Sequence, residues 1–312
     1  MYHLPLVTSM THGTLLGIIK VKSISRKESC MSANEQHHES IASKIDRSIS
    51  TGIHESQETL RVWIAGASGF CGRALTQHLA QSPNYHPLPH IRPGSSRLER
   101  LNGVWADMGV TPVLSEWSTL KQSIQKHRPH VIVSCIGTTK KQAKHNGGGY
   151  EEVDEGLNLQ LLNAAESLAH PPLFIYLSSM GAEWGRWNAY LRARMNVENA
   201  LKESSLSYAI IRPAILSGTD RDETRTLEGL AARFSDRLAQ VYQALGLSYR
   251  ANRVRPLDSH DIATFIEHIL VYIQIKAHQN QEQRERLLFT VDQIHQTLQS
   301  ESLPQSESLP HT

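Results

Sequence analysis

Cysteine is scarce: Cys30, Cys71 and Cys135 are the only three in 312 residues, odd in number and far apart, so no disulfide framework is expected. No apolar run approaches the roughly 18 residues of a membrane span. A dominant charge sign is missing as well. The 32 Lys plus Arg nearly balance 30 Asp plus Glu, leaving a formal net charge of +2. That excludes a dedicated nucleic-acid surface, which needs clustered basic residues. Seventeen histidines are present, but no HExxH and no paired Cys/His spacing, so no metal site is expected. These absences imply a soluble intracellular chain with neither a membrane nor a nucleic-acid partner. The expected compartment is cytoplasmic.

Hydrophobic residues make up 39% and charged residues 20%, a little low for a compact globule, which points to a folded core with polar appendages. Residues 1–60 read as a disordered leader. Its first 27 residues hold no Asp or Glu and four Lys/Arg, so a mitochondrial transit peptide is the alternative; translation beginning at Met31 would make residues 1–30 irrelevant. Residues 32–59 are rich in Ser, Glu, Gln and His, a flexible composition. At the other end, SESLP at 300–304 recurs at 306–310, and residues 299–312 read as a low-complexity disordered tail.

Between these ends, residues 61–298 alternate short apolar runs with helix-periodic segments. Val62–Ala65, Val131–Ile136, Leu173–Leu177 and Tyr208–Arg212 have the length and apolar content of buried parallel strands. Helical segments follow at Phe70–Leu79, Glu151–Leu168 and Trp187–Lys202. The rhythm predicts an α/β protein with a Rossmann-like, doubly wound parallel sheet. Pro87 and Pro89 interrupt the second strand, which is therefore expected to be short and to begin near Leu88.

Directly after the first strand stands Gly66-Ala67-Ser68-Gly69-Phe70-Cys71-Gly72. Gly66 permits a tight turn, Gly69 lets backbone approach a pyrophosphate, and Gly72 lets the helix pack close to the sheet. The helix beginning at Phe70 offers its positive end to phosphates, with Ser68 beside it. The loop after the second strand, His90-Ile91-Arg92-Pro93-Gly94-Ser95-Ser96-Arg97, contains no acid to bind the ribose hydroxyls of NAD. Two arginines and two hydroxyls there form a phosphate cradle, with Arg92 as the residue for the extra phosphate. NADP is the expected cofactor, with NAD as the alternative.

GASGFCG at 66–72, Ile136-Gly137-Thr138-Thr139, Leu177-Ser178-Ser179, Tyr190 and Arg212-Pro213 occur in this order on the right elements. Together they resemble the extended and atypical short-chain dehydrogenase/reductases, in particular the branch containing the Tat-interacting-protein-like NAD(P)H-binding oxidoreductases. The resemblance covers residues 61–220 well and 221–298 loosely. It implies cofactor contacts at Gly66, Ser68, Gly69, Phe70, Gly72, Arg92, Gly137, Thr138 and Pro213. It also implies a Ser–Tyr–Lys set, with Ser179 (or its neighbour Ser178) polarising the substrate and Tyr190 as acid/base. Here Arg194 stands four residues after Tyr190 where the family has Lys. That spacing keeps both side chains on one helix face, but a guanidinium cannot relay protons as an ammonium can.

After the third strand, where many relatives carry an Asp near the adenine, this chain has Ser115-Glu116-Trp117; Glu116 is either its substitute or a helix cap. Lys140–His145 with Gly147–Gly149 lacks the Walker spacing and reads as a solvated loop. Residues 221–298 are expected to form the substrate side, with a helix over Thr224–Leu247, another with its body at Ile262–Ile275, and Arg221, Arg253 and Arg255 available to an anionic group. The expected function is an oxidoreductase acting on a small carbonyl or alcohol; an NADPH-binding sensor or scaffold without turnover and a sugar-nucleotide epimerase or dehydratase are the alternatives. Partner expectations reduce to a small-molecule substrate. Because the terminal segments have few apolar residues to pack, deleting residues 1–58 or 299–312 is expected to leave the melting temperature nearly unchanged, as read by a thermal melt of each truncated chain.

Overall fold

The computed structural model describes residues 59–138, 149–214, 216, 255–278 and 284–300. The leader, the loop at 139–148, Arg221, the helix expected over 224–247 and Arg253 lie outside the described residues. Among the described residues, seven strands form one parallel sheet: β1 (Leu60–Ala65), β2 (Tyr85–Ile91), β3 (Val113–Leu114), β4 (Val131–Ser134), β5 (Leu173–Leu177), β6 (Tyr208–Arg212) and β7 (Arg286–Thr290). Their order is β3-β2-β1-β4-β5-β6-β7. The α-helices are α1 (Phe70–Leu79), α2 (Leu98–Ala106), α3 (Leu120–His127), α4 (Leu157–Glu166), α5 (Ala189–Glu203), α6 (Ser259–His278) and α7 (Val291–Ser300). This is the Rossmann-like doubly wound α/β fold.

Strand alternation divides the core in two. Val62, Ile64, Val131, Val133, Ile175 and Ile211 face one layer, where α6 lies against α1. Trp63, Ala65, Ile132, Phe174, Tyr176 and Ile210 face the other, with Leu120 and Ile124 of α3, Leu161 of α4 and Val197 of α5. Both faces are covered, so the strands read as continuous apolar runs rather than alternating ones.

Strand β2 is longer than its prolines predict. It runs from Tyr85 and pairs with β1 in the register Val62↔Pro87 and Ile64↔Pro89. The Ile91 carbonyl accepts from the Ser115 amide on the β3 side. Residues two and four back, Pro89 and Pro87, turn their backbone polar groups the same way. Strand β3 pairs only with His90 and Ile91, so both prolines lie on a stretch of β2 that needs no donor on that side. The other differences are smaller. Strand β7, a short Leu287-Leu288-Phe289 run not anticipated from the sequence, extends the sheet beyond β6. Helix α7 continues to Ser300, two residues into the segment expected to be tail. The helix expected from Glu151 opens with a π-turn, Glu151–Gly156, before α4.

Phe265 of α6 is fully buried and meets Phe289 of β7 edge to face, ring centroids 5.1 Å apart. Phe265→Ala is expected to cost ~3–5 kcal/mol in urea unfolding, as large aromatic truncations in a core do. Val104→Ala, at a position 43% exposed, should change stability by no more than about 0.5 kcal/mol.

Candidate dinucleotide site

Strand order reverses between β1 and β4, and their C-terminal ends open a crevice of the kind in which open α/β sheets bind ligands. The two loops that follow touch each other. Gly66 has φ +76°, and a Cβ there would come within 2.8 Å of the Cys135 carbonyl. A Cβ on Gly72 would collide with the Gly66 carbonyl and Ala67 Cα. These two glycines are thus demanded by packing. Gly69 is different: it caps α1 with φ −82° and ψ 176°, a conformation open to any residue, and a Cβ would meet only the Gly66 carbonyl, at 3.1 Å. No side chain caps α1 and no acid lies in its first turn. The positive helix end and the space over Gly69 suit a pyrophosphate. Ser68 and Phe70 are half-buried beside it.

Arg92 is exposed. It is Arg97, at the N-cap of α2, that reaches the glycine loop, its Nη1 donating to the Ser68 carbonyl at 3.2 Å. His90 lies buried between Trp63 and Trp117, with ring centroids 5.2 and 5.3 Å away, and contacts both the carbonyl and the hydroxyl of Ser115. Burial, with Arg92 nearby, pulls its pKa down, so the ring is neutral at pH 7. Glu116 is exposed, and its side chain makes no capping bond.

Across the crevice, the β4 loop rests on a buried ion pair. Arg194, 5% exposed, places Nη2 2.8 Å from Asp154 Oδ1. Its Nη1 lies 3.1 Å from the Ile136 carbonyl, 3.0 Å from the Leu177 carbonyl and 3.2 Å from the Tyr176 hydroxyl. Asp154 Oδ2 accepts from the Thr138 amide at 3.0 Å. Gly137 is exposed on its outer side, but a Cβ there would run into the Arg194 guanidinium. Burial works against the charge of Arg194, but Tyr176, Tyr190 and Asp154 around it keep it protonated. Burial pushes the Tyr176 phenol up to about 12. The Asp154 carboxyl also rises with burial, against the pull of Arg194 and the Thr138 amide.

The sequence-derived candidates on β5 and α5 separate into committed and uncommitted groups. Ser178 is buried and donates to Glu198 Oε1 at 2.7 Å. Ser179 is half-buried, and among the described residues its hydroxyl reaches only the adjacent Met180 carbonyl, at 3.2 Å. Tyr190 is half-buried; its ring lies 5.2 Å from the Arg194 guanidinium carbon and edge to face with Tyr150 at 5.3 Å. Its hydroxyl has no hydrogen-bond partner among the described residues. Pro213 is buried, its carbonyl accepting from the Met180 amide. Arg212 before it is a brace: Nε and Nη2 grip Glu198 at 2.9 and 2.5 Å, while Nη1 reaches Glu183 at 3.0 Å. Burial opposes ionisation of Glu198, but bonds from Arg212 and Ser178 hold its carboxyl below the ordinary range. Cys71 and Cys135 near the crevice are in no disulfide, and burial pushes the Cys135 thiol up.

Asp154 and Glu198 were not picked out as site residues from the sequence, and Arg97 was read there only as the second arginine of the phosphate cradle. Asp154 stands within the acidic run Glu151-Glu152-Val153-Asp154-Glu155, at the start of the segment read as helical. The available signal was its spacing to Asn158, Leu161 and Ala165, one continuous helix face that is buried.

A family model described as NAD(P)H-binding matches residues 66–238, more than half of the chain. The chain belongs to the NAD(P)H-binding family. Members of this family bind the dinucleotide, and the crevice over Gly66–Gly72 is where this chain's residues fit it. Among curated proteins the chain is similar to "Protein fmp52, mitochondrial" of Emericella nidulans, 30% identical over 137 residues, covering 44% of this chain and 57% of that one. The protein of the same name in Aspergillus niger is 28% identical over 135 residues, covering 42% and 55%. The chain thus spans little more than half the length of these relatives, whose names place them in mitochondria rather than the cytoplasm. Among solved structures, the UDP-Glc/GlcNAc 4-epimerase of Campylobacter jejuni shares the fold at 14% identity and TM-score 0.52, over 76% of this chain and 82% of that one.

Gly69→Val is expected to weaken NADPH binding by at least ~100-fold, the loss of a pyrophosphate site, with the melting temperature nearly unchanged. Gly72→Ala should instead lower the melting temperature, because its Cβ meets backbone. Calorimetric titration beside a thermal melt separates the two.

Proposed function

We propose that this chain is an NADP-linked oxidoreductase acting on a small carbonyl or alcohol, of the Tat-interacting-protein-like branch of the atypical short-chain dehydrogenase/reductases. The observation that carries the reading is the uncommitted hydroxyl of Tyr190, half-buried at the start of α5 while its neighbours Ser178 and Arg194 are buried and bonded. The bound dinucleotide would supply the hydride. Tyr190 then exchanges a proton with the substrate oxygen, and Ser179, at the end of β5, donates a hydrogen bond to that oxygen. The Arg194 guanidinium carbon lies 5.2 Å from the Tyr190 ring, on the same face of α5. The acid-free loop at 90–97, with Arg92 exposed and Arg97 beside Ser68, supports NADP over NAD. The names of the relatives support a mitochondrial rather than a cytoplasmic location.

A second reading, NADPH binding without turnover, is favoured by one specific observation. Arg194 occupies the family's Lys position, yet its guanidinium bonds downward to Asp154 and to the ends of β4 and β5. It makes no hydrogen bond to the Tyr190 hydroxyl. NADPH oxidation over a panel of aldehydes and ketones decides between the readings. For the enzyme, Tyr190→Phe should lower turnover by ~100- to 10,000-fold, the cost of losing a general acid/base, with NADPH affinity almost unchanged. Tight NADPH binding with no carbonyl turned over would leave the binding-only reading. An active wild type indifferent to Tyr190→Phe would keep the enzyme and reject this residue.

A further inference from the structure

We infer that Asp154 is the positioning residue of the dinucleotide site: its two carboxylate oxygens hold the Thr138 amide and the Arg194 guanidinium together, and so set the Ile136–Thr138 loop for the cofactor. Asp154 is fully buried on a helix that otherwise turns Leu161 and Ala165 to the same interior. A buried ion pair is a poor source of stability, since well-packed apolar residues of similar volume often serve as well or better. What this pair provides is geometry. Oδ2 accepts from Thr138, after the end of β4, and Oδ1 accepts from Arg194. The same guanidinium reaches the Ile136 carbonyl. The loop is therefore held at both of its ends by one carboxylate, directly at Thr138 and through Arg194 at Ile136.

A second anchor on the same helix supports the first. Asn158 Nδ2 donates to the Asp154 carbonyl at 2.8 Å, and Asn158 Oδ1 accepts from Ser134 Oγ at 2.5 Å. Ser134 Oγ in turn lies 3.4 Å from the Ile136 amide. The π-turn at Glu151–Gly156 immediately precedes α4, and Asp154 lies within it. Such turns recur at functional sites. With Gly137 lacking a Cβ, the guanidinium underlies the loop while its outer side stays exposed.

The inference rests on reading Gly137 and Thr138 as cofactor contacts, and hydrogen exchange tests that first. In the wild-type chain, NADPH should protect the peptide that contains residues 135–138. No protection would remove the loop from the cofactor and overturn the inference, without touching the assignment of the glycine loop. The variants then separate positioning from simple support. Asp154→Asn should weaken NADPH binding by ~10- to 100-fold, the loss of a charge-assisted hydrogen bond. The double variant Asp154→Leu with Arg194→Met replaces the pair by apolar groups and should regain most of the melting temperature. It should still bind NADPH at least ~10-fold more weakly, because Thr138 has lost its acceptor. Recovery of both stability and affinity in the double variant would show that the pair only holds the fold, and would overturn the proposal. So would wild-type affinity in Asp154→Asn. Should the Asn variant not fold, the double variant decides alone.

Discussion

The pair between Arg194 and Asp154 is the constraint on which the cofactor side of this molecule depends. One guanidinium, removed from water, joins the ends of β4 and β5 to the helical segment between them. Removing one partner of such a pair would leave an uncompensated buried charge, a loss on the order of 3–5 kcal/mol. Its position explains two features of the sequence that look unrelated. Gly137 is glycine because the guanidinium fills the space of a Cβ. An arginine suits position 194 because the fork of a guanidinium reaches two carbonyls, a phenol and a carboxylate together.

A second cluster does the corresponding work at the ends of β5 and β6. Glu198 receives Arg212 and Ser178, joining α5 to the ends of β5 and β6. Arg212 also reaches Glu183 in the turn between Ser179 and Tyr190. The stretch that carries both proposed reacting side chains is thus tied down by charge on either side. The polar groups that the resemblance brings together divide accordingly: Ser178, Arg194 and Arg212 hold the frame, whereas Ser179 and Tyr190 face outward from it.

Much of this architecture was legible in the residues. Short apolar runs placed β1, β4, β5 and β6 to within two residues, because strands covered on both faces have no polar side to blur them. The glycine loop was legible because Gly66 and Gly72 each answer a steric demand of their own at a fixed spacing. Other features were hidden for identifiable reasons. Two prolines disguised the length of β2, since whether a missing donor matters depends on which neighbour lies on that side. Asp154 was hidden among four other residues of an acidic run, where burial of one carboxylate leaves no mark on composition. Arg92 drew attention by following β2 directly, yet Arg97 is the arginine that folds back onto Ser68.

Local and periodic information, namely strand length, helix phase, the turn at Gly66 and the order of the motifs, belongs to contiguous residues and can be read from them. It was enough for the doubly wound sheet and for a set of candidate side chains. The partner of Arg194 is 40 residues away along the chain, and the Ile136 carbonyl it reaches is 58 away. Which polar side chains are consumed in the frame and which are left for a ligand follows from such long-range pairings. Burial enforces them, because a polar group removed from water must find a partner wherever packing brings one.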